Sequence, residues 1–306
     1  MHISIRGSTT PSPAVPSAAS AARRGRARGF WRLCWSRLRR DRAGMAGLFV
    51  VLVIVAVAAA GPLVWRLDPS AQVLSGRAAP PGGQAILGRD ALGRDMLSRV
   101  VVGSRFTLGG GLVATALGLC LGTPPGLLAG YYGRWLDGGI MRITDLLLAF
   151  PYFLLAILVV AVLGSGLWTA AAAVGLTKMP QYIRVVRGAV LSVRQQEYVD
   201  AARAAGASHY RTMRQHVLLN ITAPIIVLAT VGLGGDLLAI AGLSFLGLGA
   251  QPPVPEWGLM VSEGRNYLFD APHVMVIPGL CLMSLVLALN LLGDGLRDAL
   301  DPRLYR

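Results

Sequence analysis

The sequence predicts an all-α integral membrane protein with six transmembrane helices. Of its 306 residues, 54% are hydrophobic and only 14% are charged, whereas soluble domains average about 25% charged residues. The apolar residues are also grouped into runs, and a helix needs about 20 of them to cross a bilayer. Six runs meet this requirement, near residues 44–66, 106–130, 141–164, 167–188, 220–248 and 273–293.

Residues 1–43 are predicted to form a cytoplasmic tail. Ser, Ala, Pro and Thr dominate residues 1–22, a composition typical of disorder. Residues 23–42 carry nine arginines among aromatic and aliphatic residues, which favours a basic amphipathic helix lying on anionic membrane lipid. A charged flank that only sets the orientation of the chain explains the same residues equally well.

The run at 44–66 is interpreted as an uncleaved first transmembrane helix. Its end, VAVAAAG, resembles a signal-peptide cleavage site, but the run is long enough to span and more runs follow it. The rest of the segment 44–105 is then predicted to be extracytoplasmic and amphipathic. Its charged residues are expected on a helix, either as a platform for a partner or as ion pairs on a wet surface: Asp90, Arg94, Asp95 and Arg99.

Basic residues predict the orientation of the chain. A net charge of +14 could indicate nucleic-acid binding, but these residues recur beside apolar runs, as membrane flanks do. Nucleic acid is therefore not a predicted partner. With the N-terminus in the cytoplasm, 22 of the 29 basic residues fall inside and seven outside. The positive-inside rule thus favours cytoplasmic N- and C-termini.

The second run carries small residues at a spacing of four. This spacing places them on one helix face, where the backbone of another helix can approach closely. Two prolines in the same run, Pro124 and Pro125, are expected to kink the helix. The predicted packing residues are Gly118, Gly122, Gly126 and Gly130.

Residues 195–220 interrupt the apolar pattern between the fourth and fifth runs with EYVDAARAAGASHYRTMRQHVLLN at 197–220. Read as a helix, this stretch presents a face made mostly of methyl groups. Such a face suits docking into a shallow groove of a partner, although an interfacial hairpin that shields the base of the bundle also fits. Gly206 is expected to end the first short helix and Ser208 to cap a second.

Four stretches carry a resemblance to a known family. DAARAAG, followed by HVLLN, resembles the EAA loop of importer-type ABC permeases, with matches at Asp200, Ala201, Ala202 and Gly206 and departures at His216 and Leu219. The other three resemble segments of the C-type permeases for dipeptides, oligopeptides and nickel. They are LGRDALGRDMLSRVVVGSRFTL (87–108), AGLSFLGLGAQPPVPEWG (241–258) and NLLGDGLRDALDPR (290–303).

The resemblance implies the type I ABC importer permease fold, with the transmembrane core at 106–296 and coupling helices in the EAA loop between spans 4 and 5. It also implies a bacterial inner-membrane complex with a second permease subunit, one or two ATPase subunits that use ATP and magnesium, and an extracytoplasmic substrate-binding protein. The residues implied in ATPase coupling are Glu197, Tyr198, Asp200, Ala201, Ala202 and Gly206.

No catalytic, cofactor or metal site is predicted in this chain. A phosphate-binding loop needs glycines followed by Gly-Lys-Ser/Thr, and the only lysine, Lys178, lies in LTKMP. The three cysteines are too scattered for a disulfide framework or a metal site. The chain is therefore not expected to be an enzyme, and ATP hydrolysis is assigned to the partner subunits by the resemblance.

Acidic residues supply two further candidate sites. Asp236 lies inside the fifth run, where a charged side chain is costly; it is expected either to line the translocation path or to hydrogen-bond to a neighbouring helix. Asp294, Arg297 and Asp298 are expected either to contact the ATPase or to form a cytoplasmic end-cap, with residues 297–306 as a short tail.

The function predicted from the resemblance is ATP-driven import of di- or oligopeptides. Import of nickel or another small ligand of the same family is the main alternative. An ATP-independent secondary transporter is less favoured, because the sequence lacks the repeated broken-helix pattern expected of one.

Overall fold

A computed structural model describes residues 34–64, 68–83 and 85–300. Within these ranges all regular elements are helical, which confirms the all-α prediction, and residues 34–38 add a helical turn before the first long helix. The α-helices are α1 (Arg42–Val64), α2 (Met96–Tyr132), α3 (Arg134–Leu148), α4 (Tyr152–Leu163), α5 (Leu167–Arg194), α6 (Glu197–Ala204), α7 (His209–Thr212), α8 (Thr222–Phe245), α9 (Trp257–Gly264) and α10 (His273–Leu300).

Among the described residues, four helices are long and apolar enough to cross a membrane, namely α1, α2, α8 and α10. A fifth candidate is the pair α3 and α4, which is bent by 87°. The bend lies at Pro151, because proline lacks a backbone N–H and disfavours helical geometry at the preceding residue. The sequence predicts a single span at 141–164, whereas the structure divides this run into two helices at the bend.

The predicted number of six spans is not confirmed, because α5 is not apolar enough to count as a membrane span. The helix is 28 residues long, which exceeds the length needed to cross. It carries four cations, however, and these lower its hydropathy: Lys178, Arg184, Arg187 and Arg194. By length and composition the described residues thus provide four spans, or five with the bent pair.

Helix α2 begins ten residues earlier than the predicted run, at Met96 rather than 106. Its start is fixed by Asp95, whose carboxylate accepts a hydrogen bond from the Ser98 N–H at 2.7 Å, as N-cap residues do. Pro124 and Pro125 both lie inside the helix, which continues beyond them to Tyr132.

Helices α2 and α5 pack with their backbones close together. A methyl group added at Gly122 would lie 2.6 Å from Tyr182 Cβ, and one at Gly126 would lie 2.7 Å from the Ile183 carbonyl oxygen. Gly118 and Gly130 face α5 in the same way. Only hydrogen fits at these positions, which is how small residues allow close helix contact in membranes.

Four charged side chains connect the segment before α2 to helix α9. Arg94 pairs with Asp90 at 2.5 Å and with Glu263 at 2.9 Å, and Arg99 reaches Glu263 at 2.8 Å. Asp90, Arg94 and Arg99 are buried. The prediction that Asp90 and Arg94 lie on a wet amphipathic helix is therefore wrong, because both precede α2 and are enclosed by α9 and α10.

Candidate functional site

The segment 195–220 forms two short helices between α5 and α8. Helix α6 ends at Ala204, and Gly206 follows with a φ of +81°, a left-handed conformation that glycine adopts at little cost. Ser208 then caps α7 by accepting a hydrogen bond from the Arg211 N–H at 3.3 Å. A π-helical turn at Met213–Val217 and a 3₁₀ turn at Leu218–Asn220 lead into α8.

One side of α6 is anchored and the other is exposed. Val199 is completely buried, whereas Tyr198 is 42% exposed and Ala201 is also exposed. Ala202 is half-buried beside them. Partial burial raises the pKa of the Tyr198 hydroxyl above its usual value. The helix therefore presents a surface of one aromatic ring and methyl groups, which we call the α6 face.

The acidic residues of α6, Glu197 and Asp200, are exposed beside the α6 face. Asp200 pairs weakly with Arg203, at 3.4 Å. Sequence reasoning missed Val199 as the anchor of this helix. The available signal was that Val199 is the only branched aliphatic residue in α6.

Side chains tie α6 and α7 to the end of α2. The Arg203 guanidinium lies 5.2 Å above the Tyr131 ring, and the Tyr131 hydroxyl is 3.1 Å from Nδ1 of His209. Arg194, at the end of α5, donates to the carbonyl oxygens of Gly130 and Tyr131 at 3.0 Å each. These contacts join α6 and α7 to the end of α2, and the end of α2 to the end of α5.

A cavity of about 670 Å³ lies at this junction. Three arginines and three large aromatic rings contribute to its walls. Its lining residues are Tyr131, Tyr132, Gly133, Arg134, Trp135, Leu136, Arg194, Arg203 and His209.

Asp236 lies near the middle of α8 and is 0% exposed. One carboxylate oxygen accepts a hydrogen bond from the Thr115 hydroxyl of α2 at 2.7 Å. The other oxygen is 3.9 Å from Nζ of Lys178 in α5. The carboxylate therefore contacts two neighbouring helices, and Lys178 and Thr115 are partners that sequence reasoning had not identified.

The acidic and basic residues near the end of α10 point outward. Asp294, Arg297 and Asp298 are all exposed. None of the three makes an ion pair with another residue in the part of the chain that the structure describes. Residues 1–33 of the tail 1–43 and residues 301–306 of the segment 297–306 lie outside the described residues.

Residues 34–64, 68–83 and 85–300 contain no group of three or more His, Cys, Asp and Glu side chains arranged to hold a metal ion.

Two family models match the chain. The model described as binding-protein-dependent transport system inner membrane component matches residues 95–306. The model described as N-terminal TM domain of oligopeptide transport permease C matches residues 29–81. Together they cover both the transmembrane core and the first span.

Curated relatives are similar along nearly the whole chain. The dipeptide transport system permease protein DppC of Alkalihalophilus pseudofirmus is 42% identical over 274 residues, which covers 90% of each chain. The glutathione transport system permease protein GsiD of Pectobacterium atrosepticum is 43% identical over 275 residues, covering 90% of this chain and 91% of its own. DppC of Haemophilus influenzae is 40% identical over 276 residues, which covers 88% of this chain and 94% of its own.

A solved structure supports the fold. A chain of the MetNI methionine ABC transporter, described in inward-facing conformations, superimposes with a TM-score of 0.55 and 23% sequence identity. The match covers 67% of this chain and 97% of that chain. At this level of identity the likeness concerns the fold alone.

Proposed function

Because this chain belongs to the family of binding-protein-dependent transport system inner membrane components, we propose that it is a permease subunit of an ATP-driven ABC importer for di- or oligopeptides. The observation that carries the proposal is 42% identity, over 90% of the chain, to a dipeptide permease. A glutathione permease is equally similar, so glutathione is the second candidate substrate. Nickel or another small ligand is the alternative within the family.

Import requires partners that this chain does not contain. We infer a second permease subunit, with which this chain forms a heterodimer around the path, an extracytoplasmic substrate-binding protein, and one or two ATPase subunits that hydrolyse ATP with magnesium. The chain itself carries out no hydrolysis in this scheme. Its task is to alternate the opening of its half of the path, which requires the two ATPase states to differ in affinity for the two transmembrane states.

The α6 face is proposed as the docking surface for the ATPase. Its support is an exposed Tyr198 and Ala201 on a short helix that is anchored from behind by Val199. Movement of the docked helix would reach α2 through the contacts of Arg203 and His209 with Tyr131. Glu197, Asp200 and Gly206 would border the contact, and Asp294, Arg297 and Asp298 are proposed as a secondary contact or end-cap.

We propose further that α5 crosses the inner membrane despite its charges, which gives six spans with both termini in the cytoplasm. Three of its four cations have a carboxylate partner: Lys178 with Asp236, Arg184 with Asp145 and Arg187 with Asp137. The fourth, Arg194 at the end of α5, donates to backbone carbonyl oxygens of α2. Ionisable residues that pair with one another are the kind that transmembrane segments tolerate.

The docking proposal is tested by capture of the ATPase on the assembled complex. Ala201→Arg places a long charged side chain in the α6 face and should lower recovery of the ATPase by about tenfold or more, as truncation or blocking of a central contact does. ATP-dependent uptake of alanyl-alanine should fall in parallel.

Gln215→Arg is the matched control, because Gln215 is also exposed in the segment 195–220 but lies outside α6, in the turn Met213–Val217. Both variants must reach the membrane in wild-type amounts. Equal ATPase recovery with the two arginines would contradict the assignment of the α6 face.

A further inference from the structure

The ammonium group of Lys178 and the carboxylate of Asp236 lie close together near the centres of their helices, where a third long helix also contacts the carboxylate. Lys178 lies near the centre of α5, Asp236 near the centre of α8 and Thr115 near the centre of α2. Ionisable residues at this depth are costly and face a bundle interior or a water-filled cavity rather than lipid. The pair therefore marks a side of the protein that lipid does not cover.

The Lys178–Asp236 contact is loose. At 3.9 Å it is the longest ion pair among the described residues, whereas Arg187 holds Asp137 of α3 with two hydrogen bonds of 2.5 and 2.7 Å. The Asp236 oxygen nearest Lys178 has no hydrogen-bond partner in the described part of the chain. Because a lysine ammonium carries three donors, Lys178 retains donors for another anionic group.

Lys178 is also accessible, whereas Asp236 is not. The Lys178 side chain is 14% exposed and that of Asp236 is 1% exposed. Gly235 of α8 leaves room beside the ammonium, since a methyl group there would lie 3.7 Å from Nζ. An incoming ligand would therefore meet the lysine and not the carboxylate behind it.

The break between α3 and α4 lies beside the same lysine. Tyr152 begins α4 directly after the 87° bend, and its ring lies 4.6 Å from Nζ of Lys178. Interrupted backbone at membrane depth is tolerated where it is buried in protein or lines a water-filled cavity. Tyr152 is 42% exposed, so this bend is not enclosed by the chain itself.

We propose that Lys178 binds the free carboxylate of the peptide cargo in the translocation path, and that Asp236 is a positioning residue which holds the ammonium in place. The proposal rests on the proposed function and specifies the substrate class as peptides with a free acid end. It differs from the expectation that Asp236 itself lines the translocation path, because the buried Asp236 carboxylate already accepts a hydrogen bond from Thr115.

The test measures ATP-dependent uptake by the complete importer in proteoliposomes, with alanyl-alanine and alanyl-alaninamide as probes. Lys178→Met should lower uptake of the free acid by about tenfold, the equivalent of one lost hydrogen bond to a charged group, and leave uptake of the amide near the wild-type rate. The binding protein is identical in every assay, so its own preference cancels when each variant is divided by wild type. Lys178→Arg should retain uptake of both probes.

Arg184→Met is the matched control on the same helix. Arg184 pairs with Asp145 at 2.6 Å, but both side chains are more than half exposed, so its loss should leave uptake of both probes unchanged. The double variant Lys178→Met/Asp236→Asn removes the pair as a whole and avoids an uncompensated buried charge. It should reach the membrane normally and still transport the free acid poorly.

Chemical rescue provides a readout that a purely structural ion pair would not change. In a background without the native cysteines, Lys178→Cys should regain free-acid uptake after reaction with aminoethyl methanethiosulfonate, which restores an ammonium. The anionic sulfonatoethyl reagent should not restore it.

Two results would overturn the inference alone: wild-type free-acid uptake in the double variant, or an equal loss for acid and amide in Lys178→Met. Absence of ATP-dependent uptake of either probe, and of glutathione, by the wild-type complex would instead overturn the proposed function and this inference with it.

Discussion

Gly122 has a steric role that a single methyl group tests. A Cβ at this position would lie 2.6 Å from Tyr182 Cβ and 2.9 Å from the Met179 carbonyl oxygen, so α2 and α5 must separate to admit it. We expect Gly122→Ala to lower the free energy of unfolding in micelles by about 1–3 kcal/mol, the usual cost of overpacking.

The matched change on the same helix is Gly109→Ala. Its new methyl group would make only an ordinary contact, 3.4 Å from the ring of the exposed Trp168. Alanine in place of a helical glycine otherwise stabilises by about 0.5–1 kcal/mol. The two substitutions should therefore act in opposite directions, and unchanged or increased stability in Gly122→Ala would contradict the close approach of α2 and α5.

At the residue scale the sequence identifies which side chains are unusual but not their partners. Asp236 stands out as an acid in an apolar run, and the glycine spacing of α2 predicts a contact face. The identity of Lys178 as the neighbour of Asp236 depends on the relative rotation and height of α5 and α8. Val199 was missed for a similar reason, because the side on which α6 is anchored depends on where α5 ends.

At the scale of elements, the buried ion cluster fastens the segment before α2 to α9. Arg99 is 0% exposed and pairs with Glu263 at 2.8 Å. Arg99→Met removes one of the two arginine partners of Glu263, whose side chain is 25% exposed and which keeps Arg94 at 2.9 Å. The cost should therefore be below the roughly 3 kcal/mol lost when a fully buried pair is broken. We expect this smaller loss of stability in denaturant titration, together with faster proteolysis between residues 68 and 83.

Arg265→Met is the comparison for Arg99→Met, since Arg265 is exposed just after α9 and makes no ion pair among the described residues. It should leave stability and proteolysis unchanged. The sequence predicted charged residues here but placed them on a wet helix, because Glu263 is far away along the chain and only the fold brings it to Arg94 and Arg99.

At the scale of the whole molecule, the family resemblance was the strongest part of the prediction and is confirmed over most of the chain. The number of spans was harder to predict. Hydropathy cannot distinguish a straight apolar run from one that bends at Pro151. It also cannot show that three cations of α5 are paired with carboxylates of two other helices, α3 and α8. Both uncertainties concern tertiary contacts rather than composition.

Whether α5 crosses the membrane is decided by labelling two cysteines that flank it. Ser165 lies in the exposed turn before α5, and Ala201 lies on the exposed α6 face after it. If α5 spans the bilayer with its three ion pairs intact, Ser165→Cys should react with a membrane-impermeant maleimide only from outside. Ala201→Cys should then react only in inside-out vesicles, in a chain whose native cysteines have been replaced.

Labelling of both positions from one side would show that α5 does not cross and would remove the sixth span. Ser70→Cys, in the exposed segment after α1, fixes the absolute orientation in the same experiment. Its reaction from outside, on the same side as Ser165→Cys, requires an even number of crossings between them. Because α2 is long and apolar enough to cross once, an even number then requires the bent α3–α4 pair to cross once more. The 87° break would then belong to a true span and not to a re-entrant loop.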